Sequence, residues 1–252
     1  MLNRGRGLLV NIVGIFLIFG LWALGAMLLR SPALPSPIAV LKHFRGAFWP
    51  TLVCHLFASL RRILLAVGLS SLFALPLGIL LGRNPFWQHW GAPIVYMLYP
   101  IPKVAFLPLI FLWLGLGDSA KIFLMGLILF FQTFVAAMDA AGDIEPRLID
   151  SLISLGASNL DIYVHGIIPA VLPRVFTALR LGTGTALAVL FFAENFATRW
   201  GIGFFILDSW MRVDYRSMYG GILALALLGV ALFGAIDLIE RRVCRWRYTE
   251  DV

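Results

Sequence analysis

The stretch 148–175, LIDSLISLGASNLDIYVHGIIPAVLPRV, is polar and hinged although apolar sequence flanks it on both sides. Leucines recur at helical spacing in its first part, which predicts a short amphipathic helix. Gly156 can adopt a positive φ and end that helix. Ser158 or Asn159 then predicts the N-cap of a second helix, and Pro169 suits the first turn of a returning helix. We therefore expect a helix–turn–helix that projects from its apolar surroundings and has no core of its own.

The surrounding composition is that of a membrane protein. The chain has 252 residues, of which 61% are hydrophobic and 13% are charged, whereas a soluble domain is about 45–50% apolar and about 25% charged. Apolar runs of about 20 residues recur, and only helices or closed barrels can cross a bilayer. The runs do not alternate as barrel strands do. The sequence therefore predicts an all-α membrane protein with a single transmembrane domain over residues 1–252.

We predict about six transmembrane helices, near residues 8–29, 60–82, 94–117, 119–139, 170–193 and 217–239. Within the single domain, residues 1–55 form an N-terminal helix and an interfacial segment, and 56–240 form the core. Residues 83–91 and 194–216 are expected to be loops. An even number of spans places both termini on one side. Arginines near both termini favour the cytoplasm for that side; they are Arg4, Arg6, Arg241, Arg242, Arg245 and Arg247.

The third predicted span is irregular, because Pro100, Pro102 and Pro108 interrupt it beside Lys103. Broken helices at membrane depth occur where they are packed in protein or line a cavity. The pattern therefore predicts a segment that lines the interior, as a candidate pathway, rather than facing lipid. Simple packing kinks are the alternative.

Two further features lie in the fifth span. Gly182, Thr183 and Gly184 are small enough for another helix to approach closely, and contact with substrate is the alternative. Glu194 ends the same span, and charges at such depth are costly and commonly functional. We interpret it as a structural hydrogen bond or ion pair, with a role in gating as the alternative.

Motifs of catalysis are missing. A phosphate-binding loop requires GxxxxGK[ST], and none of the three lysines, Lys42, Lys103 and Lys121, follows a glycine. Neither HExxH nor GxSxG occurs, and Cys54 and Cys244 match no metal or redox motif. We therefore predict no catalytic residue, no metal site, no cofactor bound to this chain and no nucleic-acid partner. The net charge of +7 is compatible with an anionic substrate but does not argue for one.

The polar stretch resembles the EAA loop of the membrane subunits of bacterial ABC importers. The motif has an acidic residue followed by two small residues, then a glycine and a proline, and this stretch keeps that register. The resemblance therefore implies a set of coupling residues, which includes the residue after the glycine: Asp150, Ser151, Leu152, Gly156, Ala157 and Pro169. Leu152 replaces an alanine of the motif, and Gly166 replaces an isoleucine. Further segments, among them YPIPKVAFLPLIFLWLGLGDSAKI and ERRVCRWR, look like the nitrate/sulfonate/taurine branch. The resemblance runs from about residue 34 to residue 247.

This resemblance implies a type I ABC importer transmembrane fold and a permease subunit. It implies a second permease copy, two cytoplasmic ATPase subunits that hold the ATP and Mg²⁺, and an extracytoplasmic binding protein. The coupling loop, about 141–169, would dock on the ATPases, in a bacterial inner membrane with both termini cytoplasmic. The substrate would be a small anion such as nitrate, a sulfonate, taurine or bicarbonate. From the residues alone, an ATP-independent channel or secondary carrier stays open.

Overall fold

The structure is a computed structural model that describes residues 2–43, 48–196 and 198–248. Side chains are described from Val13 onward, except those of Phe48 and Tyr248. The regular elements of the described residues are all helical. The helices are α1 (Leu2–Leu29), α2 (Pro37–His43), α3 (Phe48–Arg83), α4 (Pro85–Leu98), α5 (Leu107–Leu114), α6 (Asp118–Gly142), α7 (Pro146–Ser154), α8 (Asn159–Asp161), α9 (Ile168–Glu194), α10 (Ile202–Met211) and α11 (Tyr215–Val243).

The number of candidate membrane spans follows from helix length and apolarity. Among the described residues four helices qualify, and they are Trp49–Arg83, Asp118–Gly142, Asn159–Glu194 and Tyr215–Val243. The pair Pro85–Leu98 and Lys103–Leu114, bent by 73°, makes a fifth if it is one broken span. The part of α1 with described side chains, Val13–Leu29, is apolar but shorter. The prediction of an all-α membrane fold is confirmed.

Helix α6 lies at the centre and packs along α3 and α9. Glycines of α3 allow the two backbones to approach closely. An added Cβ at Gly78 would lie 2.7 Å from the carbonyl oxygen of Phe134, and one at Gly82 would overlap the carbonyl oxygen of Met138. Small residues at such crossings are how membrane helices pack, because lipid supplies no hydrophobic drive between them.

We expect Gly82→Ala to destabilise the protein by about 1–3 kcal/mol, because the added methyl forces α3 away from α6. Gly68→Ala is the matched control, since it lies in the same helix and its added Cβ meets nothing within 4 Å. The control should be neutral or slightly stabilising, because alanine favours helix. Thermal unfolding in detergent measures both variants, and equal midpoints would contradict the packing argument.

The second span was predicted to begin near residue 60, which is wrong. Helix α3 begins at Phe48 and crosses the predicted division between residues 55 and 56. The arginines at 61 and 62 suggested an interface, but they pair with Asp118 of α6 and so do not mark the end of a helix. Of the predicted interfacial segment, only Pro37–His43 is a separate short helix.

Two predicted loops contain helices. Of the predicted loop 83–91, residues 85–91 belong to α4. The Asn84 side chain caps this helix by accepting hydrogen bonds from the N–H groups of Phe86 and Trp87, and Pro85 fills the first position. The 194–216 loop contains α10, which packs on α11, α9 and α3. Phe205 of α10 is buried in this contact, whereas Trp200 and Trp210 are more than half exposed.

The bundle has two ends. We call the end that carries α7 the loop end and the opposite end the far end. Cys244, just beyond α11, is buried with Ile144 and Ile162 at the loop end, whereas α11 starts at the far end, where Ser217 contacts His43. Trp22 of α1 stacks on Tyr219 near that start.

Helix α1 has 28 residues, about 42 Å, and its part around Trp22 lies at the far end. The side chains of Arg4 and Arg6, whose positive charge favours cytoplasmic termini, lie outside the described part of the chain.

Candidate functional site

The polar stretch within 148–175 folds as a helical hairpin at the loop end. Helix α7 ends at Ser154, and Gly156, just beyond its C-cap residue Leu155, has a φ of +81°. Its last carbonyls accept from the residues that follow: Gly156 N–H donates to Ile153 at 2.9 Å, and Ala157 N–H donates to Leu152 at 3.0 Å. The prediction that Gly156 ends this helix is confirmed.

The second arm begins at a reciprocal cap. The Ser158 hydroxyl accepts from the N–H of Asp161 at 3.3 Å, and the Asp161 carboxylate accepts from the N–H of Ser158 at 3.0 Å. This capping box satisfies two N–H groups that the helix start would otherwise leave free. The predicted N-cap at Ser158 is confirmed.

Pro169 lies in the first turn of α9, as the sequence predicted, but no break in the chain's helical path precedes that turn. The second arm passes through a π-helical turn, Ile162–Ile167, and continues as α9 without a break. Ile168 N–H bonds five residues back to Tyr163. The wider π register accommodates a proline that lacks an N–H, so Pro169 lies inside one continuous rod, Asn159–Glu194.

The hairpin has an inner and an outer side. On the inner side Leu152 packs against Gly166, where an added Cβ would lie 2.7 Å from a Leu152 methyl. Four other large apolar side chains of the hairpin are exposed in this single chain, and we call them the loop ridge. Its members and their exposures are Leu148 (43%), Ile153 (55%), Leu155 (84%) and Leu160 (72%). Asp150 and Ser151 are exposed as well, and Ala157 is half-buried.

The broken span places a lysine near mid-depth. Lys103 follows the bend, and its ammonium lies 4.5 Å from the centroid of the Phe131 ring, halfway along α6. The ammonium donates to the carbonyl oxygens of Leu98 (3.0 Å) and Tyr99. Among the described residues no carboxylate is in ion-pair contact with it. Pro100, Pro102 and Pro108 are exposed on this protomer, and their pathway role stays a prediction.

The small residues of α9 lie between helices. An added Cβ at Gly182 would lie 2.5 Å from Gln132 Oε1 and 2.9 Å from a Leu129 methyl of α6. Thr183 is buried and donates to its own helix at Leu179. Gly184 faces Phe233 of α11. These contacts are the close helix approach that the sequence predicted, and a substrate contact stays a prediction.

Glu194 is fully buried at the far end and accepts four close hydrogen bonds. Arg62 donates at 2.6 Å, the Ser59 hydroxyl at 2.8 Å and 3.0 Å to the two oxygens, and Gly203 N–H at 2.8 Å. The Arg62 guanidinium also donates to Asp118 at 2.6 Å and 2.8 Å. The structural ion pair that we predicted for Glu194 is confirmed, and a gating role stays a prediction.

Two glycines make room for this carboxylate. An added Cβ at Gly201 would lie 2.6 Å from either Glu194 oxygen, and one at Gly203 would lie 2.5 Å from the carbonyl oxygen of Phe191. Sequence reasoning did not find these glycines, nor Arg62, Ser59 or Asp118 as partners. The sequence did contain a signal: Arg61 and Arg62 interrupt one apolar run, and Glu194 ends another.

The family model of the binding-protein-dependent transport system inner membrane component matches residues 74–245. The taurine transport system permease protein TauC of Escherichia coli (strain K12) is 32% identical over 232 residues, covering 89% of this chain and 84% of that protein. The putative aliphatic sulfonates transport permease protein SsuC of Bacillus subtilis (strain 168) is 27% identical, covering 96% and 87%.

A solved structure shares the fold. The MetNI methionine ABC transporter, in an inward-facing crystal form, aligns with a TM-score of 0.66 at 19% identity. The match covers 77% of this chain and 96% of that chain. The predicted importer-type arrangement of helices is confirmed by this likeness.

Proposed function

The chain belongs to the family of binding-protein-dependent transport system inner membrane components, and from that premise we propose that it is the permease subunit through which a small sulfonate such as taurine is imported. Two copies form the pathway. Two cytoplasmic ATPase subunits, which bind ATP and Mg²⁺, drive it, and an extracytoplasmic binding protein delivers the substrate. The named relatives transport taurine and aliphatic sulfonates, which supports this substrate class over nitrate or bicarbonate.

The loop ridge carries the coupling part of the proposal. Four large apolar side chains stand exposed among polar residues of the hairpin, such as Asp150, Ser151 and Ser158. Exposed apolar patches with a polar rim are typical of protein interfaces, and an amphipathic helix laid into a groove is a recurring recognition mode. We assign Asp150, Ser151, Gly156 and Ala157 to this docking element. Leu152 and Pro169 hold its shape from within.

The direction of transport follows from the same element. With the loop ridge on the ATPases, the loop end is cytoplasmic and both termini lie in the cytoplasm of a bacterial cell whose inner membrane holds the permease. The far end then faces the binding protein. Lys103, at mid-depth, is assigned to the pathway with Pro100, Pro102 and Pro108, because an ammonium without a carboxylate partner favours an anion passing it.

An ATP-independent channel or carrier receives less support. A proton-coupled carrier needs a deep carboxyl that can change its protonation, whereas Glu194 is held by Arg62, Ser59 and Gly203. A channel has no use for an exposed apolar hairpin at one end.

The test is purification of the chain from its native membrane in mild detergent, followed by mass spectrometry of the complex. We expect two permease copies and two ATPase subunits with phosphate-binding loops. Taurine uptake by the complex in proteoliposomes, in the presence of ATP and the binding protein, would complete the test. Uptake by the chain alone would support the carrier.

Leu155→Asp should abolish association with the ATPase subunits, because it places a charge where an apolar side chain, 84% exposed, is expected to be buried in a groove. Leu155→Met is the matched control, since it keeps size and apolarity. Both variants should insert and stay monodisperse as the wild type does. Size-exclusion chromatography measures the stoichiometry, and a full ATPase complement in Leu155→Asp would contradict docking through the loop ridge.

A further inference from the structure

A cavity of about 370 Å³ opens at the far end, between α3, the start of α6 and the segment before α10. Its volume lies in the range of small-molecule sites. The residues that bear on its chemistry are Cys54, Arg61, Arg62, Asp118, Lys121 and Arg199. None of the pathway residues assigned above lines it.

Positive charge dominates this cavity. Four cationic side chains line it, against the single carboxylate of Asp118, with Glu194 directly behind Arg62. Arg61 and Arg62 both pair with Asp118. The two acids therefore neutralise the two arginines of α3, and the remaining two cations are in excess.

Those two cations are Lys121 and Arg199. Lys121 is 1% exposed, and its ammonium donates to the carbonyl oxygens of Leu116 (3.0 Å) and Gly117 (3.5 Å). Arg199 is exposed at the mouth. Within the described residues neither has a carboxylate in ion-pair contact. A desolvated ammonium is costly unless a negative charge lies close to it.

The start of α6 adds to this field. Gly117 is the N-cap of this 25-residue helix and supplies no side-chain acceptor. The first N–H groups of α6 therefore receive no side-chain cap from Gly117. The helix dipole favours negative charge there, and Asp118 in the first turn supplies part of it. Lys121 and this helix start border the same cavity.

We propose that this cavity binds the sulfonate group of the substrate at the far end before translocation. The assignment of the far end to the outer face rests on the proposed function, whereas binding of a small sulfonate does not. Lys121 and Arg199 supply the charge, and Arg62 is kept rigid by Asp118 and Glu194. A phosphate headgroup of an anionic lipid shares this chemistry and is the other source that the test must separate.

The chain carries its own reporter. Cys54 is exposed and lines the cavity, whereas Cys244 is buried. The purified complex is treated with methanethiosulfonates that carry either a sulfonate or a trimethylammonium group. The rate at which each reagent modifies Cys54 is divided by the rate at which the same reagent reacts with free 2-mercaptoethanol. We expect the sulfonate reagent to react with Cys54 about tenfold faster on this normalised scale, because a positive field concentrates anions. Ethanesulfonate should slow the reaction, and Cys54→Ser gives the background.

Arg199→Gln should lower this preference about threefold, because it removes one charge at the mouth. Arg216→Gln is the matched control: it makes the same change at an exposed position at the far end, beside a different cavity, and should leave the preference unchanged. Added salt should weaken the preference.

Equal normalised rates, or no protection by ethanesulfonate, would overturn the assignment. Protection by phosphatidylglycerol but not by ethanesulfonate would overturn it in favour of a lipid site. Preference with protection, in a chain that binds no ATPase subunit, would support the anion site and contradict the proposed function. ATP-driven uptake with an indifferent Cys54 would overturn the anion site alone.

Discussion

Glu194→Gln is expected to destabilise the protein by about 3 kcal/mol, because removing the charge of one partner of a buried pair leaves the other with less compensation. Arg62, whose side chain is 5% exposed, would keep Asp118 but lose its buried partner. The new amide would also turn an N–H group toward donors that need an acceptor. The free energy of unfolding in detergent, or the thermal midpoint of the purified chain, measures the loss.

Asp143→Asn is the matched control for this variant. It makes the same chemical change in the pair between Asp143 and Arg174, whose side chains are 63% and 55% exposed. An exposed pair contributes about 0–1 kcal/mol, so the control should unfold close to the wild type. Similar midpoints for both variants would show that the Glu194 pair is not the structural element described here.

Gly156→Val should separate ATP hydrolysis from uptake while the chain remains inserted and assembled. The φ of +81° costs an L-residue about 1–2 kcal/mol, which is about a five- to thirtyfold change in the population of the native hairpin. An added Cβ meets nothing within 4 Å, so the cost lies in the backbone alone. The measurement is substrate transported per ATP hydrolysed in proteoliposomes, and the ratio should fall at least tenfold.

Gly115→Val controls for backbone strain. Gly115 has a φ of +74° and equally open surroundings, but it lies in the turn before α6 at the far end. Its stability cost should be at least about 1–2 kcal/mol, because its φ of +74° with a ψ of 179° lies in a region that glycine alone readily occupies. Its transport-to-ATP ratio should stay at the wild-type value. Coupled uptake at the normal ratio in Gly156→Val would remove Gly156 from the coupling element.

Local features were accessible from the sequence because their partners lie a few residues apart. Ser158 comes two residues after Gly156, and the capping box joins Ser158 to Asp161, three positions further on. Helical spacing likewise indicates α7, since the period of a helix is visible within two turns. These elements follow from the chain's own neighbours.

The far end was not accessible in the same way. Arg62 and Glu194 are 132 positions apart, and no periodicity reports a contact of that separation. The same reason accounts for the error at α3, because an arginine pair reads as an interface until its carboxylates are known. The extent of the rod at Pro169 was missed because a proline signals a helix start more often than the end of a π turn.

The uninterrupted rod Asn159–Glu194 has a mechanical consequence. Its 36 residues span about 54 Å, with the capping box at one tip and the buried carboxylate at the other. A continuous helix of this length tilts as one body, so a small displacement of the hairpin at the loop end moves the far end as well. The π turn Ile162–Ile167 lies near the loop end of the rod and is the place where it can bend. The stiffness of this turn determines how much of a displacement at the loop end reaches the far end.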